Sequence, residues 1–520
     1  MRKGSFKKLG VLLCALTLAI IVGCQSIAGF NLNNMILNQL DVTQQEQSQQ
    51  FELEVELNEK VLSAEGAEIT DIINAFRKVT LNITHSKRDD KGNQWMTGVL
   101  SFGKGDIPFT FHLDSKALRF DVGGAHRPLI VEIPDMNSLL GTDVEEGVSG
   151  ANMQQAIMET VRPLLKNIAS YLVKSAPNPP VLKLERVTLP VHGVTTSLTK
   201  VHAELNGEQL GELIPVFIDN LIQDKDGLRS TLHSILQWIE ELPPELKQAF
   251  GDDELFAEEL DSDTFVEEGY NAVLSALSDA KKEIDEARMD DEEWQEVFDK
   301  GVTMSADLFV DDSLHLRKSA VEINIAPAIF SEGDSPLKSI KIRSNSEMWN
   351  VNGNVEIPAV KIPLNALTIG ELADFEPYQT LRLFDENSVV YKVLKNDFQV
   401  DDQSFELSNE WGIPFYIDSN DVTYVPLRAT MDNFGVKLNA PSANGEIGFY
   451  DRATEQAIVF QTGSTKATVN SKSVTLAHKV ENDGLYTYVS ADDLFGLLHA
   501  QYSITEDLSG GLVIEVTRDL

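Results

Sequence analysis

"FELEVEL", residues 51–57, sets the fold class. Phe51, Leu53, Val55 and Leu57 fall on one side of an extended chain, and Glu52, Glu54 and Glu56 fall on the other. A period of two with one apolar side is the pattern of a strand that buries a single face. Outward from this stretch, "VTLNITH" (79–85), "WMTGVLSF" (95–102), "IPFTFHL" (107–113), "ALRFDV" (117–122) and "PLIVEI" (128–133) continue it. "DDKGN" (89–93), "GKGD" (103–106) and "DSK" (114–116) supply the turns. Together they predict an antiparallel meander.

The period then changes. Met153, Ile157, Val161, Leu164, Ile168 and Leu172 mark one face of a helix over 151–176, with Pro163 as a candidate kink and "PNPP" (177–180) as its stop. Strands are expected again at 181–190 and 193–204, a helical block over 207–299, and further strands at 302–325 and 338–351. In the block, Leu228, Leu232, Ile235 and Ile239 share a face that Pro243 and Pro244 end. The order predicts an α+β fold, an N-terminal antiparallel sheet with helices packed on it, as one domain or two within 51–365. "LGELIPVFIDNLI" (210–222) is apolar on more than one face, so it is a plain core helix, or it lines an apolar cavity. A strand-rich body capped by such helices is loosely similar to the half-barrel carriers of lipids and lipoproteins, in architecture and not in motif.

The front end reads as an address. Arg2, Lys3, Lys7 and Lys8 precede an apolar run from Leu9 to Val22, too short to span a bilayer and suited to a secretory signal. "IVGC" (21–24) resembles a bacterial lipobox, which implies cleavage after residue 23 and a lipid on Cys24; the alternative is an ordinary signal with a chance cysteine. Residues 24–50, rich in glutamine, are expected to be a tether or frayed helix. The expectation is an exported protein held on the outer face of the cell membrane through Cys24.

Composition excludes more than it selects. The net charge is −38, the wrong sign for a nucleic-acid partner. The only cysteines are Cys14 and Cys24, so with Cys14 removed and Cys24 acylated no thiol remains for disulfides, catalysis or metal binding. The nine histidines show no metal spacing, and no nucleophile-elbow, P-loop or dinucleotide-binding string occurs. No catalytic residue, metal ligand or cofactor is therefore assigned. The acidic run over 251–300 reads as a solvated helix face, with a loose Ca²⁺ site as the alternative.

Near the end, a unit occurs twice. "TYVPLRATMDNFGVKL" (423–438) and "TYVSADDLFGLLHAQY" (487–502) are each a strand running into a short helix. Leu427, Met431 and Phe434 align with Ala491, Phe495 and Leu498. Short strands are expected at "VKL" and "QYSI", three more over 455–477, and a last one at "GLVIEV" (511–516). "YVPLRATMDNFGVKL", "TGSTKATVNSKSVTL" and "YVSADDLFGLLHA" together resemble the copper amine oxidase N-terminal-like domain over about 410–518, after a connection at 366–409. Ser490, Ala491 and Asp492 stand where Pro-Leu-Arg is usual. The resemblance implies an exported protein of a Gram-positive bacterium. It also implies a small α+β stalk module, two pseudo-symmetric halves on one core, that binds or spaces. It does not imply amine oxidase activity, since the His-x-His copper pair and the Asn-Tyr-Asp/Glu cofactor string are missing. Arg428 is either a packed helix-start residue or a ligand contact.

Three functions stay open. The first is a non-enzymatic surface lipoprotein that binds or scaffolds, with envelope or protein partners for its C-terminal domain. The second is a carrier of a lipid or other apolar ligand between sheet and helices. The third is an envelope polysaccharide hydrolase using a carboxylate pair that the sequence does not mark.

Overall fold

A computed structural model describes residues 30–58, 67–132, 150–242, 262–289, 291–326, 330, 337–373, 375, 377–398, 400, 402–408, 414–440, 442, 444–506 and 511–519. The chain divides into two compact units. One runs to residue 123 and from 127 to 369; the other holds 124–126 and 370–520.

The first unit is built on one sheet of twelve strands: β1 (Gln45–Leu57), β2 (Lys78–Arg88), β3 (Gln94–Phe102), β4 (Gly105–Leu113), β5 (Ala117–Val122), β6 (Leu129–Glu132), β7 (Val181–Val191), β8 (Val194–Asn206), β9 (Val302–Val310), β10 (Leu316–Ile325), β11 (Leu337–Trp349) and β12 (Leu367–Thr368). Their order is β12-β6-β5-β4-β3-β2-β1-β11-β10-β9-β8-β7, and only the β12–β6 pair is parallel. The meander expected from 51 onward is present, with β1 at the centre of the sheet rather than at an edge. The helices are α1 (Leu32–Leu40), α2 (Ala67–Ala75), α3 (Gly150–Ser175), α4 (Gly207–Gln223), α5 (Lys225–Glu241), α6 (Ser262–Met289) and α7 (Asp291–Val297). One sheet with helices packed on it confirms the α+β class.

The glutamine-rich stretch is a correction. Residues 45–50 are not a tether but the first half of β1, paired with β11 from Glu46↔Trp349 to Gln50↔Asn345 and with β2 from Gln45↔Arg88. Two neighbours satisfy its backbone groups, and that outweighs the missing apolar alternation. Residues 32–40 are also ordered: Leu32 is 1% exposed and Met35 5% exposed in α1.

The register gives the sheet two chemically distinct faces. Pairs such as Phe51↔Leu81, Leu81↔Leu100, Leu100↔Ile107 and Phe111↔Phe120 line up apolar side chains on one, the inner face. The outer face carries charge. Glu52 is bridged to Lys78 at 2.9 Å and to Arg343, which also meets Glu322 at 3.1 Å. Helix α4 lies on the inner face. Leu210, Ile214 and Ile218 pack with Leu205, Met304 and Ile323, while Phe217 and Leu221 pack with α5 and α6 through Leu228, Leu232 and Val266. That double burial is why 210–222 reads as apolar on more than one face. Asn206 opens α4 with a reciprocal cap to Gln209, which satisfies free N–H groups at its start.

The second unit contains α8 (Val389–Asn396), α9 (Leu427–Asn433), α10 (Ala491–Leu497) and strands β13 (Asp402–Ser408), β14 (Tyr416–Ile417), β15 (Thr423–Pro426), β16 (Glu446–Asp451), β17 (Gln456–Gln461), β18 (Lys466–Val469), β19 (Lys472–Thr475), β20 (Glu481–Asn482), β21 (Thr487–Ser490), β22 (Gln501–Glu506) and β23 (Leu512–Asp519). The repeat is real. β15 and β21 pair antiparallel about Val425↔Val489, and Leu427, Met431, Ala491 and Phe495 enter one core. Each helix ends on a left-handed residue, Gly435 (φ 71°) and His499 (φ 56°). The next N–H bonds back, Val436 to the Met431 carbonyl and Ala500 to the Phe495 carbonyl, both at 2.9 Å. Where the first copy starts its helix at Pro426, the second uses the Ser490 hydroxyl, which accepts from the Asp493 N–H. "VKL" is a correction: Val436 is buried, but 436–438 pairs with no strand.

Candidate ligand site on the inner face of the sheet

The inner face is covered unevenly. On β8, β9 and β10, Val201, Leu205, Val302, Met304, Ile323 and Ile325 are all at most 8% exposed. Helices α1, α4 and α7 supply the cover. Between α1 and strands β7–β10 an apolar cavity of about 160 Å³ remains, walled by Leu32, Met35, Leu182, Val201, Met304 and Leu308. A volume of that size takes a benzene-sized group rather than a whole chain. The carrier hypothesis expected the helix of 210–222 to line such a cavity. Here its lid is α1 instead, and the spacing Leu32, Met35, Ile36 was the readable signal for it.

Beyond β11 the inner side chains are less deeply buried. On β1–β5 the inner side chains include Phe51, Leu53, Leu81, Leu100, Phe109 and Phe120. Among the described residues none of these six is buried, and Phe51 is 36% exposed. The face is nonetheless shaped. Gly98 lets the Phe109 ring lie flat across β3, since a Cβ there would sit 2.8 Å from that ring. Phe109 and Phe120 follow with ring centres 6.2 Å apart. Toward the α1 end the same face turns polar. Gln49 Nε2 donates to Ser344 Oγ at 3.4 Å, and the Ser319 and Ser346 hydroxyls bond at 2.6 Å. An apolar sheet face grading into a polar end is a shape suited to an amphipathic ligand.

Other chemistry is sparse. No group of three or more His, Cys, Asp or Glu is placed for a metal ion among the described residues. Every described carboxylate with a resolved shift moves below its ordinary range, the opposite of a general acid. At Asp307 burial pushes upward, and bonds from His202 and Lys200 outweigh it. In the second unit a polar cleft of about 590 Å³ is lined by Tyr378, Arg382, Asp385, Tyr391 and Lys395. Elsewhere in this unit the repeat tyrosines Tyr424 and Tyr488 gather two that the sequence reading passed over: Tyr416 stacks on Tyr424 at 5.1 Å and meets Tyr488 edge-on at 5.1 Å, and Tyr486 lies beside Tyr488. The Tyr416 hydroxyl donates to Glu481 at 2.6 Å, and burial and that carboxylate hold its pKa above the ordinary range.

Cys24 and the apolar segment before it lie outside the described residues, as does 251–261 of the acidic run. Within that run 262–289 and 291–297 form α6 and α7, and Lys281 of α6 meets Asp219 and Asp285 at 3.0 and 3.4 Å. Among the described residues no helix is long and apolar enough to cross a membrane. Arg428 is exposed at the start of α9 and meets no hydrogen-bonding or ionic partner among the described residues.

None of the curated proteins compared with the chain matches it. Residues 388–507 match the copper amine oxidase N-terminal domain, which begins at the Ser388 cap of α8, some way before the start expected at 410.

Proposed function

We propose that the protein is a non-enzymatic envelope lipoprotein whose first unit binds a lipid or other apolar ligand on the inner face of its sheet. Lipidation at Cys24 holds it on the outer face of the cell membrane, and the stalk-type domain makes envelope or protein contacts. The observation that carries the binding reading is the apolar face of β1–β5, only partly buried, beside the buried side chains of β8–β10. Each Å² of that face a ligand covered would add roughly 25 cal/mol. On the second unit the exposed Tyr486, beside the buried Tyr488, is the aromatic side chain offered to a protein contact.

The test uses the chain from Gln25 onward, which holds every described residue, and hexadecanol as a nonionic probe. Saturable binding is expected. Leu81→Glu, which puts a charge in the middle of the face, is expected to weaken it about tenfold or more at an unchanged unfolding midpoint. Failure to bind hexadecanol, or equal binding by Leu81→Glu, overturns the reading.

A further inference from the structure

The cleft of about 590 Å³ in the second unit is walled by three short pieces of chain, and local bonds hold each in place. The helix Pro377–Leu381 buries Tyr378 and Leu381, 5% and 3% exposed. Arg382 follows it. Its Nη2 donates to the Ala453 carbonyl at 2.9 Å, and its guanidinium lies 5.3 Å from the Tyr378 ring centre. Next, residues 383–385 run antiparallel to 124–126. The His126 N–H donates to the Leu383 carbonyl at 2.8 Å, and the Asp385 N–H to the Gly124 carbonyl at 2.7 Å. That pairing brings His126 to the wall. Ser388 then caps α8, its hydroxyl accepting from the Tyr391 N–H at 3.1 Å. Tyr391 and Lys395, one turn apart on α8, complete the lining.

The cleft combines an apolar part with hydrogen-bonding groups that have no internal work. Leu381, Phe384 and the half-buried Tyr391 ring make the apolar part. Among the described residues the Tyr391 hydroxyl, the Asn387 side-chain amide, the Glu386 carboxylate and the His126 ring make no hydrogen bond or ion pair within the protein. The lining also carries both signs of charge, Arg382 and Lys395 beside Asp385 and Glu386. A ligand of one sign would be repelled by part of that set. A ligand whose groups each donate and accept finds a partner in all of it, and a sugar hydroxyl is such a group. The C–H face of a sugar ring suits an aromatic face such as those of Phe384 and Tyr391. The volume falls within the range of about 300–1,000 Å³ typical of small-ligand sites, enough for a short oligosaccharide.

We infer that this cleft binds a neutral stretch of polysaccharide, with Glu386, Asn387 and Tyr391 bonding its hydroxyls. The inference adds a second ligand on a second unit and does not rest on the apolar ligand proposed for the first. Of the described lining only Tyr391 and Lys395 fall within the matched residues 388–507, so most of the cleft is built by chain that precedes the matched domain.

The experiment is titration calorimetry on the chain from Gln25. The probes are cellotetraose, chitotetraose and mannotetraose as neutral saccharides, pyrophosphate as an anion and trialanine as a zwitterion. Saturable binding of at least one saccharide is expected, tighter than that of pyrophosphate or trialanine. Asn387→Ala and Tyr391→Phe each remove one hydrogen-bonding group and are each expected to weaken it about two- to tenfold, the worth of one hydrogen bond. Neither group has a partner inside the protein, so both variants should keep the parent's unfolding midpoint. Leu81→Glu, on the other unit, should bind the saccharide as the parent does. Binding of none of the saccharides, tighter binding of pyrophosphate or trialanine, saccharide binding that both cleft variants leave unchanged, or its loss from Leu81→Glu overturns the inference. Hexadecanol binding is measured on the same samples, so failure of this site is told from failure of the apolar one.

Discussion

Arg518 is a buried, fully engaged charge in the second unit. Its guanidinium is fully buried, and Nη1 donates to Asp451 at 2.7 Å. Nε donates to Gln403 at 2.9 Å, and the group lies 4.4 Å from the Phe434 ring centre. Asp451 in turn accepts from the Ala453 N–H at 3.2 Å and the Thr454 hydroxyl at 2.7 Å. Removing one partner of such a pair leaves a buried charge without a counter-ion. Arg518→Leu is predicted to cost about 3–5 kcal/mol of unfolding free energy, read by chemical denaturation. The sequence did not disclose this. Arg518 sits two residues from the chain end in a polar run, while Arg428, in the better-conditioned "YVPLR", drew attention and proves to be exposed. Alternation shows which side of a strand a residue is on. It does not show that an acid from another strand waits there.

At the scale of elements, the outer-face ladder makes a pH-dependent prediction. Bonds from Lys78 lower the Glu52 pKa, burial opposes them, and the Arg343 contact adds to the lowering. A carboxylate with a depressed folded pKa adds stability above its unfolded value, and that stability fades as pH falls through the folded one. Glu52→Gln should therefore lower the unfolding midpoint at neutral pH, and the gap from the parent should close below about pH 4.3. A second prediction concerns the seat of α4. Gly211 faces α7 so closely that a Cβ would sit 2.9 Å from the Trp294 indole nitrogen and 3.1 Å from Phe298. Gly211→Leu should wedge the helices apart and cost about 1–3 kcal/mol, measured in the same denaturation series.

These elements also show where the sequence was legible. "FELEVEL" and its successors announced their strands because each buries one face, and 210–222 announced its double burial by being apolar all round. The glutamines of 45–50 carried no such signal, since β1 is held there by backbone pairing on both sides. The lid α1 was legible only in part: the spacing of Leu32, Met35 and Ile36 marks a helix face, but among asparagines it read as a tether until strands β7–β10 are seen beneath it.

At the scale of the molecule, two units with separate cores should unfold separately. Calorimetry of the chain from Gln25 is predicted to resolve two transitions, with Arg518→Leu moving one of them and Gly211→Leu the other; a single transition shifted by both would contradict the division. The functional account turns on the other large-scale feature, a twelve-stranded sheet whose inner face is buried on β8–β10 and only partly buried on β1–β5 among the described residues. The most direct measurement is native mass spectrometry of the chain from Gln25, purified without harsh detergent from cells that express it. The account predicts a reproducible added mass that extracts into organic solvent and is lost from Leu81→Glu. A bare polypeptide mass for the folded chain would contradict it.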